Sequence, residues 1–339
     1  MMRLLILFPF LLSTSFAQLA PPALTPVEKL KLPDTSEEQI NPDQPQFVSL
    51  SGNSLFGLRD EKGEIAAKQK ALEENPNEAN AYIALGLMQD SYLRHAEAIQ
   101  TYTQGAERFP QDWRFLRYRG QRLITARKFD EAIRDLEAAR EKTKKSFDVA
   151  YYLGLAYYFK GDFEKAATEL GRCESQMKSP LPGMEDLRGL KSCEDAREDQ
   201  AYQVPLMFWH YLALRRAGLM DQAKAYAEAV SPLWTLSANK AFYEALLYFR
   251  GTKDLSDMME GSNEATRDYL IRSTGVAAHL FVEGERQKAC AIWQRNALDV
   301  KWNHLGVIAA ESEFYRNSRA ACALYGLGDK PAPAPAAQN

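Results

Sequence analysis

Gly86, Gly120 and Gly154 stand 34 residues apart, each in a similar frame: "YIALGLMQD", "LRYRGQRLI" and "YYLGLAYYF". Glycine inside a helix costs about 1 kcal/mol relative to alanine. Three of them in one register therefore point to a repeating packing need. A second series, Gly218, Gly251 and Gly284, is spaced by 33 residues in "RRAGLMDQA", "YFRGTKDLS" and "FVEGERQKA". Gly161, in "YFKGDFEKA", belongs to this second type and shares a unit with Gly154. The first type is expected where two helices cross closely, the second at a helix terminus that needs a left-handed residue. Asp162 then offers an N-cap for the following helix.

Five residues after each turn position comes a small residue: Ala98, Ala132, Ala166, Ala223, Ser256 and Ala289. Opposite Ala166, Gly154 would let two backbones approach. Pro76 and Pro110 end their units at the 34-residue spacing. No alternating strand pattern interrupts the helical periodicity. A period of this length marks a stacked array of helix–turn–helix units. Leu85, Leu123, Leu136, Leu153, Tyr157, Leu170, Leu214, Leu247, Leu280 and Trp293 fall at helical spacing and are read as core.

These motifs resemble the tetratricopeptide repeat (TPR) family, over roughly residues 60–303. The resemblance implies an all-α fold, a right-handed α-solenoid of about six units. The register is closest in the units starting near Ala79, Trp113 and Phe147. The units near Val204, Ser237 and Leu270 diverge, with Tyr211, Glu244 and Ala277 where the mid-helix glycine would be. The organisation read along the chain is a signal peptide (1–17), a disordered proline-rich linker (18–46) and N-terminal TPR units (47–178). An insertion (179–203), divergent units (204–303), a capping helix (304–327) and a disordered Pro/Ala tail (328–339) follow.

The signal reading rests on Met1-Met2-Arg3, the apolar run Leu4 to Leu12 and small residues at Ser15 and Ala17. Cleavage is expected after Ala17, giving an exported, periplasmic or secreted protein. That run is too short to span a bilayer, and no later segment reads as a membrane span. The formal net charge is −3, with no basic patch to suggest nucleic acid. Four cysteines in an exported chain invite pairing. Of three connectivities, the local ones, Cys173–Cys193 and Cys290–Cys322, close the shortest loops and are expected, with unpaired buried thiols as the alternative.

Catalytic signatures are missing from the sequence. His95, His210, His279 and His304 are far apart, and none sits in a His-Glu-x-x-His run. There is no Gly-x-Ser-x-Gly elbow, phosphate-binding loop or dinucleotide fingerprint. No metal or cofactor is implied, and the expectation is a non-enzyme. The resemblance instead directs attention to the concave groove lined by the first helix of each unit. Its expected lining is Arg114, Arg117 and Gln121; Tyr151, Leu155, Tyr158 and Phe159; Phe208, Leu212, Arg215 and Arg216; Tyr248 and Phe249. Aromatic anchors with arginines suit a protein or peptide partner. The Lys/Asn-rich set of the TPR subfamily that clamps chaperone C-termini is not matched. The function expected is an exported scaffold or adaptor, loosely similar to bacterial envelope TPR adaptors. The alternatives are a self-associating, homo-oligomeric structural protein and an enzyme assembled around Cys193.

Overall fold

A computed structural model describes residues 40–183, 185–259, 266–317 and 322. The segments expected to be a signal peptide, the linker up to residue 39 and the C-terminal tail lie outside the described residues. So does most of the expected capping helix beyond Asn317.

The chain opens with an antiparallel hairpin, β1 (Ile40–Val48) and β2 (Ser54–Leu58). Helix α1 (Glu64–Glu74) follows, its first amides received by the Asp60 carboxylate at 2.8–3.1 Å. Six helix pairs come next: α2 (Ala79–Ser91) with α3 (His95–Arg108), α4 (Arg114–Thr125) with α5 (Phe129–Lys142), and α6 (Phe147–Lys160) with α7 (Phe163–Lys178). The later pairs are α8 (Gln200–Arg216) with α9 (Met220–Glu228), α10 (Lys240–Phe249) with α11 (Leu255–Met259), and α12 (Arg267–Val282) with α13 (Arg286–Ala297). Helix α14 (Leu305–Asn317) ends the described array. The architecture is an all-α solenoid of TPR-like pairs, carrying a β-hairpin that the periodicity did not reveal.

One turn joins the helices in every pair. The amide after the turn residue donates to the carbonyl five residues before it, in all six units: Arg94 to Gln89, Lys128 to Leu123, Asp162 to Tyr157, Leu219 to Leu214, Thr252 to Leu247 and Glu285 to Leu280, each at 2.9 Å. This is the six-to-one bond of a Schellman stop. Gly161, Gly218, Gly251 and Gly284 supply its left-handed residue with φ of 100°, 78°, 83° and 91°. In the first two units Leu93 and Arg127 adopt that conformation without being glycine, at φ of 55° and 62°.

The mid-helix glycines serve a contact other than the expected one. A Cβ on Gly154 would lie 2.5 Å from Leu170 Cγ; on Gly120, 2.6 Å from Leu136 Cγ; on Gly86, 2.3 Å from the Tyr102 ring. Each glycine thus admits the large side chain sixteen residues on, not the small residue at Ala166 or its equivalents. Ala98, Ala132, Ala166, Ala223 and Ala289 are fully buried at the crossings. Ser256 is exposed on α11, so the small residue of the fifth unit does not sit in a buried crossing. Asp162 begins α7 without a side-chain cap, its carboxylate pairing instead with Lys165 at 3.3 Å. All ten leucine, tyrosine and tryptophan positions read as core are buried.

Disulfides join Cys173 to Cys193 and Cys290 to Cys322. The first pins the insertion to α7. The insertion then runs along the start of α6, with Cys193 N donating to Lys145 O at 2.8 Å and Phe147 N to Lys191 O at 3.0 Å. Helix α8 starts at Gln200, three residues inside the span expected to be insertion. The linker likewise gives way early, since Ile40 already belongs to β1.

Candidate functional site: a cavity at the centre of the array

An amphipathic helix has one face to bury, but α6 ("FDVAYYLGLAYYFK") is apolar all round and must be covered on both. Helix α14 supplies part of that cover, with Arg316 donating to Phe159 O. It carries two fully buried carboxylates, Glu311 and Glu313. Arg127 pairs with Glu311 at 2.6 Å, its side chain 3% exposed. Arg216 and Arg316 pair with Glu313 at 2.9 and 2.8 Å, and Tyr158 Oη donates to it at 3.1 Å. The hairpin closes the same seam: Leu50 N donates to Glu311, and Trp302 Nε1 donates to Phe56 O at 3.2 Å. Phe47 and His95 both meet the Trp302 ring edge-on.

The expected groove is therefore occupied by the protein itself. Leu155, Tyr158, Phe159, Phe208 and Leu212 are fully buried, and Tyr151 and Phe249 nearly so. Tyr158 and Phe159 pack on Trp209, while Phe249 stacks on Tyr211 with centroids 4.3 Å apart. Tyr248 is half-buried against His279. The arginines are spoken for as well. Arg114 pairs with Asp112 at 2.6 Å, Arg117 with Asp148 at 2.7 Å, and Arg215 with Glu283 at 2.5 Å. As an open aromatic floor the set is corrected: most of it is core, because α14 and the neighbouring helices cover it.

What stays open is a cavity of about 570 Å³ near the beginnings of α6, α8, α10 and α12. The end of α4 and residues 303–305 complete its wall. Ile124 and Ile271 are buried in its lining, whereas Tyr202, Asn239 and Arg267 are exposed at its rim. Phe147, Tyr151 and Phe242 give it aromatic walls. Of the predicted groove residues, it brings together only Gln121 and Tyr151. They share the wall with a fixed network: Arg117 donates to Gln121 at 3.0 Å, and Gln121 donates to Tyr152 Oη at 2.7 Å.

Pro205 helps shape this rim. It has no amide proton to give the Ala201 carbonyl one turn earlier, and Asn239 Nδ2 donates there instead at 2.7 Å. Asn239 itself holds φ of 58° just before α10. The mismatch in α8 thus ties two walls together.

Charge in the cavity is one-sided. Among the described residues its one lining carboxylate, Asp148, is held by Arg117, while Arg122 and Arg267 also line it. Arg267 makes no ion pair among the described residues. Burial, with Arg267 and Lys301 adding to it, pulls His304 down to about 4, so the imidazole is neutral at pH 7. Burial pushes the Tyr151 and Tyr152 phenols up, and both stay protonated. Among the described residues there is no cluster of three His, Cys, Asp or Glu side chains fit to hold a metal. The residues that sequence reasoning missed, Arg122, Phe242, Arg267 and His304, come from four different stretches of chain. Proximity to Pro205 and Asn239 is their only shared signal.

The chain is a TPR-like helical repeat. That assignment rests on the paired helices and the common turn. Among solved structures it is similar to YrrB, described as a TPR protein with an unusual peptide-binding site. The two are 15% identical, with 73% of this chain and 98% of that one covered at a TM-score of 0.41. The superposition is loose. No family model matches the chain, and no curated protein matches it.

Proposed function

We propose that the protein is an exported scaffold or adaptor, without catalysis of its own, that recruits a protein or peptide partner at the central cavity. The observation that carries this reading is the cavity itself. It has aromatic walls, an exposed rim and a surplus of positive charge among its described lining residues. Sites of about 300–1,000 Å³ with few convergent polar groups are those that bind ligands or inserted side chains. Two disulfides support export, and none of the described helices is long and apolar enough to cross a membrane. An envelope role follows from that location.

The test is co-purification from envelope extract, using the protein that begins at Gln18 as bait. Phe242→Trp fills the cavity while keeping an aromatic wall. Partners enriched by the wild type and lost with Phe242→Trp, at unchanged melting temperature, are the expected result. Equal capture by both, or none by either, would remove the cavity as the recognition site.

A further inference from the structure

The cavity differs from the rest of the concave face in one respect. Elsewhere the arginines that point inward meet carboxylates: Arg127 meets Glu311, Arg216 meets Glu313 and Arg215 meets Glu283. The cavity has one cation left over among the described residues, Arg267, which has no ion pair there. Arg122 also lines the cavity, but it already pairs with Asp90 at 3.6 Å and meets His95 Nδ1 at 3.3 Å.

The helices add to the same field. The lining takes Phe147 and Asp148 from the start of α6, Ala201 and Tyr202 from α8, Phe242 from α10 and Arg267 from α12. Four helices therefore present their N-terminal turns to one space, where partial positive charge accumulates. Burial is the main cause of the low basicity of His304, and the charges of Arg267 and Lys301 act in the same direction. Beside this charge lie the apolar faces of Phe147, Tyr151 and Phe242. A neutral or cationic guest would leave the Arg267 guanidinium unmatched.

We infer that the cavity binds an anionic group: a carboxylate carried next to an aromatic or large aliphatic body, the charge lying between Arg122 and Arg267 and the apolar part against Phe147 and Phe242. This rests on the reading of the cavity as the recognition site. The same chemistry is offered by an acidic residue beside an aromatic one in a partner's chain and by a small organic acid of similar shape. Ile124, Ile271 and Leu305 add apolar lining, and a volume of about 570 Å³ limits the guest to a short segment.

The experiment titrates the full exported chain with two pairs of probes, followed by tryptophan fluorescence and by NMR of the His304 ring. The first pair is the capped peptide acetyl-Gly-Phe-Glu-Gly-amide and its Gln counterpart. The second is 3-phenylpropionate and 3-phenylpropionamide. Each acid is expected to bind at least tenfold more tightly than its amide in one pair or both, and the pair that binds better identifies the source. Arg267→Gln should abolish that preference and Arg267→Lys should keep most of it. Lys224→Gln, which removes an exposed charge on α9, should leave it intact. Amides binding as well as acids, or an acid preference unchanged by Arg267→Gln, would overturn the inference, as would no saturable binding of any probe. A partner captured through the cavity regardless of Arg267 would leave the scaffold reading standing and this one refuted. Acid-selective binding with no partner captured would do the reverse.

Discussion

The first three units and the last three are built on the same turn but fill their helix crossings differently. In the first half each crossing is a lock of glycine and a large side chain sixteen residues on: Gly86 with Tyr102, Gly120 with Leu136, Gly154 with Leu170. Each lock closes within its own unit. In the second half the register position in α8 holds Tyr211, which stacks on Phe249 of the next unit. The close approach moves to Gly275 in α12, where a Cβ would come 2.5 Å from the Phe208 ring two units earlier. A regular array repeats one local solution. The divergent half replaces that lock with contacts between units.

The sharpest way to break that comparison is through α14. Glu311→Ala leaves the Arg127 guanidinium buried and unpaired, which costs about 3–5 kcal/mol for a pair of this kind. Urea denaturation should show the loss, with Glu313→Ala close behind because Arg216 and Arg316 are stranded together. A loss below about 1 kcal/mol, the scale of exposed pairs, would mean that α14 does not clamp the two halves.

Next in size are the disulfides. Cys290→Ser/Cys322→Ser removes a link across 32 residues and should lower stability by about 2–4 kcal/mol. Cys173→Ser/Cys193→Ser spans 20 residues and should cost nearly as much, since the entropy of closure changes slowly with loop length. Their local effects should part company. Hydrogen exchange should quicken along α14 in the first variant and along the insertion in the second.

Acid should weaken the array in both halves, since burial lowers His95 in the first unit as well as the later histidines. His279 and His304 are both pulled down to about 4, chiefly by burial. A histidine harder to protonate folded than unfolded contributes fully above about pH 6.5. That contribution is lost as pH falls through 6.5 toward about 4, because the unfolded chain takes up the proton first. The expected decline is on the order of 2 kcal/mol over that window. It should be smaller in His279→Phe, and equal pH slopes for variant and wild type would refute it.

The fold was legible where the physics is local and repeated. Glycine spacing, the small residues at the crossings and the core leucines all report contacts within one helix pair. The groove was not legible, because its cover comes from pairs such as Arg127 with Glu311, 184 residues apart. The sequence did hold a hint: α6 is apolar on every side, and a helix lining open solvent would not be. The hairpin was missed because Pro42 and Pro45 lie in β1 and its pairing register shifts around Pro45, which removes the alternation a strand normally shows. Leu93 and Arg127 were missed as turn residues because only glycine advertises a left-handed position.

Gly154 and Gly218 separate the two roles of glycine that the repeat combines. Gly154→Val pushes a branched side chain into Leu170, and overpacking of this kind costs about 1–3 kcal/mol. Leu170→Ala in the same chain makes room, so the double variant should lose less than the sum of the two singles. Gly218 has open space around it but φ of 78°, so Gly218→Ala is strained by backbone alone, at about 1 kcal/mol. No neighbouring substitution should relieve that strain, because no neighbour causes it. Thermal unfolding of these four variants, together with Leu219→Ala and Gly218→Ala/Leu219→Ala, would decide the matter. Coupling at Gly154 with none at Gly218 supports the division between a crossing glycine and a turn glycine, and the opposite pattern would dissolve it.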